Sequence, residues 1–354
     1  MDKKIKYILY GESKKICMFS YETYLPYLAD YFEEVDNVKN ADVVIVTFVG
    51  DIVNNYKRFL GFIENSDAKV VLLSEEPLFD TRWSDRIIYE NDKTFVRNLR
   101  GKKEIELHIL SYFTSDIFDF DKIPYFLTTN KNIMGNYRKQ ISLLENKNLV
   151  KHWQQKQYDV VGLQIKRPEE GKFDFSEIKE GTSLGRLREE LIDKFVDDSA
   201  IKTKFLGSGY EKLKHITEFT NESSRDSAEW HTTKLNYCSN KSKFLLSIEN
   251  TICKNYITEK IFDAISTNSL PIFFQTHKVD FKFTGINLYN KKINNMQHCY
   301  QELISDIKKY SENAEDVLHE NLVSLKHFLN YDLKCEIEKR VGKLYNSLKL
   351  LLTI

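Results

Sequence analysis

Residues 244–274 read FLLSIENTICKNYITEKIFDAISTNSLPIFF, and this stretch decides the fold of the 354-residue chain. A strand is predicted over residues 241–250, where an apolar run ends in Glu-Asn. A helix is predicted over 258–268, and a second apolar strand over 269–274. A strand, a helix and another buried strand in this order form a parallel βαβ unit. The stretch therefore predicts an α/β fold.

Two cycles of alternating strands and helices lie on either side of a break near residue 120. In the first cycle, strands are predicted at 6–11, 41–51 and 68–77, and helices at 26–35 and 54–65. In the second cycle, strands are predicted at 124–130, 158–165 and 201–209, and helices at 135–146 and 185–196. Two such cycles are typical of doubly wound α/β domains. We therefore expect two Rossmann-like domains that face one another.

This order predicts an N-terminal domain over residues 1–120, a second domain over 121–312 and a helical tail over 313–354. The tail ends in VGKLYNSLKLLLTI, residues 341–354, where lysines are spaced along an apolar segment. A segment of this kind either packs back across the domains or touches a membrane surface. We expect packing, with peripheral contact to an inner membrane as the alternative.

The composition excludes several classes of protein. The 52 basic and 52 acidic residues give zero formal net charge, so a nucleic acid is not an expected partner. Aromatic residues make up 13% of the chain, which argues against disorder. The five cysteines form no CxxC pair, so neither a disulfide framework nor a zinc site is expected. The sequence shows no signal-peptide pattern and no run of 18 apolar residues, and we expect a cytoplasmic protein.

Polar residues mark both ends of the loop between the first strand and the helix of the deciding stretch. Glu249 and Asn250 end the strand, and the helix begins at Thr258, Glu259 and Lys260. Ligands of open α/β sheets bind beyond the carboxyl ends of strands, near helix N-termini. Lys260 would attract a phosphate there, whereas Glu259 suits the hydroxyls of a ribose diol. The alternative, that Thr258 and Glu259 merely cap the helix, fits the composition equally well.

The pattern I-E-N-(x)5-Y-I-T-E-K-I-x-D-A-(x)5-L-P-I in this stretch resembles the signature of the bacterial α-1,3/4-fucosyltransferase family, glycosyltransferase family 10. The resemblance implies a GT-B fold and inverting transfer of fucose from GDP-fucose, with Glu259 on the ribose and Lys260 on the diphosphate. The implied donor-binding residues are Glu249, Asn250, Tyr256, Thr258, Glu259 and Lys260. No cofactor and no metal are expected.

Two positions depart from the family pattern. Ile248 stands where the signature has phenylalanine, and Gln275 follows Phe274 where the family usually has an aromatic residue and a glycine. Glycine allows a close approach of the backbone to a ligand. These departures leave open an enzyme of the same fold that uses a different nucleotide sugar.

The family also has an arginine that binds the donor, and two residues compete for this role. FLTTNKNIMGNYRKQISLL resembles the strand and turn before the family's arginine helix, which nominates Arg138. GRLREELIDKF, followed by FLGSG, resembles the later arginine helix and glycine strand, which nominates Arg188, with Arg186 behind both. A guanidinium can bind two phosphate oxygens at once. The alternative for each arginine is a solvated charge on a helix.

VVLLSEEPLFD, residues 70–80, resembles the family segment that carries the proposed catalytic base. The match nominates Glu76, with Glu75 adjacent to it. An inverting transfer needs one carboxylate to take the proton of the acceptor hydroxyl. The alternative is an ordinary turn at the end of a strand.

The resemblance therefore implies a fucosyltransferase acting on an acceptor glycan, either an oligosaccharide or a lipid-linked glycan of lipopolysaccharide, O-antigen or capsule. Asp119-Phe120-Asp121 is a DxD pattern, and a metal-dependent transferase of the DxD type is therefore one alternative. A carbohydrate-binding protein without catalytic activity is another.

Overall fold

The computed structural model describes residues 3–77, 87–90, 93–97, 104–164, 172–207, 230–277, 281–291 and 295–353. Its contacts divide the chain into two units. The first comprises Met1–Lys131, Cys253–Tyr256 and Asp332–Ile354, and the second comprises Asn132–Ile252 and Ile257–Tyr331.

The first unit contains seven strands and five α-helices among its described residues. The strands are β1 (Ile5–Tyr10), β2 (Phe32–Glu34), β3 (Val43–Val46), β4 (Lys69–Leu73), β5 (Ile87–Glu90), β6 (Lys93–Arg97) and β7 (Glu104–Leu110). The helices are α1 (Leu25–Leu28), α2 (Val49–Val53), α3 (Tyr56–Ile63), α4 (Tyr125–Thr128) and α12 (Leu333–Thr353). The strands form one sheet in the order β2-β1-β3-β4-β7-β6-β5. The pairs β2-β1, β1-β3, β3-β4 and β4-β7 are parallel, whereas the pairs β7-β6 and β6-β5 are antiparallel.

Both faces of this sheet are covered by packed side chains. Successive residues of its central strands point to opposite faces and therefore enter different cores. Val44 and Val46 belong to a core that includes Phe59 of α3. Val43 and Ile45 belong to the core on the other side. All four residues of β3 are buried, which explains why this strand reads as an unbroken β-branched run.

The C-terminal helix α12 completes the core on the second of these faces. Its residues Ile337, Val341, Leu344 and Leu348 are buried in the same cluster as Val43. These side chains follow the spacing of one helix face. The expectation that the tail packs back on the chain is therefore confirmed for α12.

The second unit contains five strands and seven α-helices among its described residues. The strands are β8 (Tyr158–Leu163), β9 (Thr203–Leu206), β10 (Ser242–Leu246), β11 (Leu270–Phe273) and β12 (Ile286–Asn287). The helices are α5 (Asn132–Leu144), α6 (Leu149–Gln154), α7 (Gly185–Asp197), α8 (Trp230–Lys241), α9 (Lys260–Ser266), α10 (Met296–Glu312) and α11 (Ala314–Phe328). The sheet order is β12-β11-β10-β8-β9, and every pair in it is parallel.

Strand β10 lies at the centre of this second sheet and contributes to the cores on both faces. Phe244 and Leu246 pack in a large cluster with residues of α7 and α10. Leu245 packs in a smaller cluster with Cys238 of α8 and Ala264 of α9. The βαβ unit predicted over 241–274 is thus confirmed, as is the α/β class with two parallel-sheet units and helices at the C-terminus.

Two predicted elements are wrong. The helix predicted over 26–35 is only α1, and its second half forms β2, where Phe32 pairs with Ile5 at the sheet edge. The strand predicted over 124–130 is the helical turn α4, which begins directly after Pro124. Both segments are short apolar runs, for which spacing alone does not separate strand from helix.

The two contact units also differ from the division expected from the sequence. The change of unit falls between Lys131 and Asn132 instead of at residue 120. The predicted tail is divided, since α11 belongs to the second unit and α12 to the first. Within the described residues, no helix has the length and apolar character needed to span a membrane.

Candidate functional site

Polar side chains follow β10 at the carboxyl edge of the second sheet. Ser247, Glu249 and Asn250 are all buried. The Ser247 N–H donates to the carbonyl of Ile272 at 2.7 Å, and its hydroxyl donates to the carbonyl of Lys260 at 3.0 Å. The first bond joins the strand end to β11, and the second joins it to the start of α9. The structure therefore brings together the two ends of the loop that the sequence singled out.

Glu249 organises the first of two charged groups in this unit. Its carboxylate accepts hydrogen bonds from the Thr258 N–H at 2.7 Å and from the Thr258 hydroxyl at 2.9 Å. Lys260 Nζ donates to Glu249 Oε2 at 2.8 Å and to Thr258 Oγ1 at 2.7 Å. Glu249 thus fixes the position of the Lys260 ammonium, a contact that the sequence did not predict.

Glu259 belongs to the second charged group. It occupies the N-cap position of α9, but its side chain makes no capping hydrogen bond, so the capping alternative is wrong for this residue. Its Oε1 instead accepts a hydrogen bond from Lys234 Nζ at 3.1 Å. Burial alone would raise the pKa of Glu259, but Lys234 and Lys260 outweigh burial and hold the pKa below its usual range. Glu259 is therefore a buried, ionised hydrogen-bond acceptor.

Asp263, one turn along α9, shares the same lysine. Lys234 Nζ lies 2.5 Å from Asp263 Oδ2, while Oδ1 lies 2.8 Å from His231 Nε2 and accepts the Tyr137 hydroxyl at 2.8 Å. Asp263, Lys234 and Tyr137 were not singled out as functional from the sequence, and His231, for which a surface position was expected, is buried. One signal was present, because Glu259 and Asp263 stand at i and i+4, where two acids on one helix face call for a shared cation.

The two candidate arginines lie in different surroundings. Arg188 on α7 is buried, and its guanidinium donates to Asn250 Oδ1 at 2.9 Å. Arg138 on α5 donates to the carbonyl of Leu329 at 2.7 Å, just beyond the end of α11. Arg186 pairs with Glu189 at 2.9 Å. Among the described contacts, the structure thus brings Arg188 into hydrogen-bond contact with a residue of the predicted donor set.

In the first unit, the two glutamates after β4 have different environments. Glu75 accepts hydrogen bonds from the Met18 N–H at 2.8 Å and the Tyr21 hydroxyl at 2.8 Å. Burial raises the pKa of Glu75 to about 7, against the opposing effect of the Tyr21 bond. Glu76 accepts a hydrogen bond from the Tyr256 hydroxyl at 2.9 Å. Tyr256 therefore contacts a residue that the sequence nominated as the base. That Tyr256 also contacts the donor stays a prediction.

The DxD pattern lies in the same unit, with both carboxylates paired. Asp119 accepts a hydrogen bond from the Asn255 amide, and Asp121 forms an ion pair with Lys339. Within the described parts of the chain, no group of three or more His, Cys, Asp or Glu side chains is arranged to hold a metal ion. Lys260 and Arg188 form hydrogen bonds to the predicted donor residues Glu249 and Asn250.

Parallel α/β sheets with charged groups beyond a central strand are the arrangement in which nucleotide-containing ligands bind. Comparison with known proteins shows which family part of the chain resembles. Residues 188–314 match the family described as Glycosyltransferase family 10 (fucosyltransferase) C-term. The match contains Arg188 and all of 244–274, so the predicted glycosyltransferase resemblance is confirmed for this part of the chain.

The chain is also similar to individual known proteins. A 120-residue segment is 29% identical to a Xenopus tropicalis protein named GDP-fucose protein O-fucosyltransferase 3, covering 32% of this chain and 24% of that protein. The chain thus spans about a quarter of the length of this curated relative. Two solved structures, an alpha1,3-fucosyltransferase with GDP-fucose and one with GDP, have TM-scores of 0.43 and 0.45, each at 14% identity. The first alignment covers 94% of both chains, and the second 98% of this chain and 90% of the other.

Proposed function

We propose that this chain is an inverting glycosyltransferase that transfers fucose from GDP-fucose to a hydroxyl of an acceptor glycan. The observation that carries the proposal is the overlap of the family match with the charged groups of the second unit. Arg188, Glu249, Glu259 and Lys260 all fall within residues 188–314. The name of the frog relative, which includes GDP-fucose, supports the choice of donor.

The second unit would hold the donor through charges of both signs. Lys260 and Arg188 would bind the diphosphate, since an ammonium and a planar guanidinium both form charge-assisted hydrogen bonds to phosphate oxygens. Glu259 would accept hydrogen bonds from the ribose hydroxyls. Glu249 already holds Lys260 at 2.8 Å, so the ammonium is placed before the donor arrives. Such preorganised charge stabilises the GDP leaving group without rearrangement in the transition state.

The first unit would supply the base, and we propose Glu75 for this role. A carboxylate with a pKa of about 7 is a better proton acceptor near neutral pH than one of ordinary pKa. Glu75 takes the proton of the acceptor hydroxyl while that oxygen forms a bond to the anomeric carbon. The bond from the anomeric carbon to phosphate breaks, and GDP leaves with the electron pair. One displacement of this kind inverts the anomeric configuration.

Glu76, which the sequence ranked first, would act beside the base. It holds the Tyr256 hydroxyl at 2.9 Å, and this bond would orient the tyrosine. We propose an oligosaccharide or lipid-linked glycan as the acceptor, in keeping with the resemblance to bacterial enzymes. We also propose that transfer needs no metal, because Lys260 and Arg188 supply positive charge for the departing diphosphate.

The decisive experiment measures nucleotide binding by calorimetry and GDP release with a panel of oligosaccharide acceptors. Donors are GDP-fucose, GDP-mannose and UDP-sugars, each with and without EDTA. We expect GDP-fucose to bind and turn over in EDTA, and Lys260→Ala to weaken GDP binding about tenfold to hundredfold through loss of a charge-assisted bond. Lys243→Ala is the matched control, since Lys243 also pairs with one carboxylate, that of Asp159 at 2.9 Å.

Other outcomes contradict specific parts of the proposal. Binding of UDP-sugars alone would refute the donor assignment while leaving a glycosyltransferase. Loss of turnover in EDTA would refute metal independence. Binding of oligosaccharide with no nucleotide binding and no turnover would identify a non-catalytic carbohydrate-binding protein.

A further inference from the structure

Lys234 on α8 is the buried cation around which the second charged group is built. Its side chain is 11% exposed, and it lies 3.1 Å from Glu259 and 2.5 Å from Asp263. Burial would by itself lower the pKa of Lys234, but Asp263 and Glu259 outweigh burial and raise it. The lysine is therefore a permanent positive charge placed between two carboxylates.

Three neighbouring side chains hold Asp263 in place. Besides Lys234, it accepts a bond from the Tyr137 hydroxyl at 2.8 Å and contacts His231 Nε2 at 2.8 Å. His231 Nδ1 lies 3.1 Å from the Asn136 amide nitrogen. A carboxylate only accepts and an amide nitrogen only donates, so Nε2 donates to Asp263 and Nδ1 accepts from Asn136. Asp263 is fully buried, and its position fixes that of Lys234.

The Lys234 contact constrains the direction of the Glu259 carboxylate. One carboxylate oxygen is committed to Lys234, and a carboxylate has about four lone-pair directions. Glu259 thus retains acceptor capacity for two neighbouring hydroxyls while its rotation is limited. A ribose presents such a pair of hydroxyls at its 2′ and 3′ positions. The contact also lowers the pKa of Glu259, which keeps the carboxylate an acceptor.

We propose that Lys234, fixed by Asp263, is a positioning residue that orients Glu259 toward the ribose diol of the donor. This inference rests on the proposed function, in which Glu259 binds the ribose. Lys234 acts through Glu259 and touches no reacting atom. Removal of its charge would leave two carboxylates, Glu259 and Asp263, one helical turn apart without the shared cation. One of them would then take up a proton or turn away.

The test compares calorimetric binding of GDP with that of 2′,3′-dideoxy-GDP, which lacks the diol. Loss of two charge-assisted hydrogen bonds is expected to make wild-type protein prefer GDP about tenfold to hundredfold. Lys234→Met should reduce this preference to less than about threefold, mainly by weakening GDP binding. The affinity for 2′,3′-dideoxy-GDP should change little, and a general loss of structure would instead weaken both nucleotides.

Lys291→Met is a closely matched control. Its side chain is 10% exposed, and it pairs with two carboxylates, Asp306 and Glu302, outside the deciding stretch. The preference for GDP should therefore survive Lys291→Met even where the unfolding temperature falls. A full preference retained in Lys234→Met would overturn the inference and leave the proposed function intact. Absence of GDP binding in the wild type would instead refute the proposed function.

Tyr137→Phe keeps the inference testable if Lys234→Met does not fold. This change removes the bonds of the Tyr137 hydroxyl to Asp263 Oδ1 at 2.8 Å and to the Glu259 carbonyl at 3.3 Å, and it leaves the aromatic ring, which packs against Phe262. We expect a twofold to fivefold loss of GDP preference with unchanged affinity for the dideoxy nucleotide. An unchanged GDP preference in this folded variant would count against positioning of Glu259 through Asp263.

Discussion

Replacement of Glu75 by glutamine is expected to abolish transfer and, at the same time, to stabilise the first unit above pH 7. The structure supplies both expectations. Glu75 accepts bonds from the Met18 N–H and the Tyr21 hydroxyl, each at 2.8 Å, and burial raises its pKa to about 7. The surroundings of the Glu75 side chain thus disfavour its ionised form, and ionisation lowers the free energy of unfolding.

The sign of the stability effect follows from proton binding. In the unfolded chain this carboxyl has its ordinary pKa of 4.5, so between pH 4.5 and about 7 the folded state binds more protons. The free energy of unfolding therefore falls as the pH rises through this window. The difference between the two pKa values corresponds to about 3 kcal/mol above pH 7.

Unlike the Glu75 carboxyl, a glutamine side chain does not titrate. It retains one acceptor oxygen for two donors, the Met18 N–H and the Tyr21 hydroxyl. The loss of one bond costs about 1 kcal/mol. Glu75→Gln should therefore be about 2 kcal/mol more stable than wild type at pH 8 and about 1 kcal/mol less stable at pH 4.5. Urea titrations at several pH values, with hydrogen exchange of peptides from β1, β3 and β4, report on this unit. Unfolding curves that differ by the same amount at every pH would refute the reasoning.

The catalytic arm of the same prediction uses the pH profile of GDP release. With a base of pKa about 7, the rate should fall about tenfold per pH unit below pH 6 and level off above pH 8. Tyr21→Phe removes a bond that lowers this pKa, so the rising limb should move to higher pH. Glu75→Gln should lower the rate by a factor of about 100 to 10,000 on the plateau above pH 8, and it should remove the pH dependence of the rate. Two results would show that Glu75 is not the base. One is a pH profile that Tyr21→Phe leaves unchanged, and the other is a Glu75→Gln variant as active as Glu76→Gln.

Two further predictions concern the second unit. Arg188→Ala should weaken GDP binding at least about tenfold in calorimetry. Arg138→Ala should leave the GDP affinity unchanged and lower the free energy of unfolding by about 1 kcal/mol, since this variant loses the bond to the Leu329 carbonyl. Equal GDP affinities for the two variants would contradict this assignment. Lys156 Nζ donates to the carbonyls of Ser242, Thr267 and Asn268 at 2.7–2.9 Å, so Lys156→Met should destabilise the unit by about 2–4 kcal/mol in urea titrations, and a loss below about 0.5 kcal/mol would show that these buried carbonyls find other partners.

Local patterns were enough to predict the elements that form the site. The run before Glu249, the helix after Thr258 and the strand at 270–273 are each coded by neighbouring residues, and their bounds agree to within a few positions. A buried parallel strand needs a continuous apolar run, and a helix needs its 3.6-residue spacing. Both requirements are visible in a single sequence.

Short segments were less predictable because their structure depends on distant partners. Phe32 is in a strand because β1 offers an unpaired edge to it, and nothing in its own neighbourhood requires that pairing. The destination of α12 also depends on a distant surface, since its apolar stripe fits the open face of the first sheet. Spacing predicts that such a stripe will be buried, but the covering surface is chosen by the tertiary fold.

The sequence by itself determined the α/β class and the residues at both ends of the loop between β10 and α9, because these depend on periodicity and local residue type. Only the tertiary structure decided which charges meet. Lys234 and Glu259 are 25 positions apart, yet the packing of α8 and α9 on one face of the sheet places them 3.1 Å from each other. Arg188 reaches Asn250 across 62 positions, whereas Arg138 turns to Leu329. Ion pairs need a separation of a few ångströms, and that distance is set by the packing of whole elements.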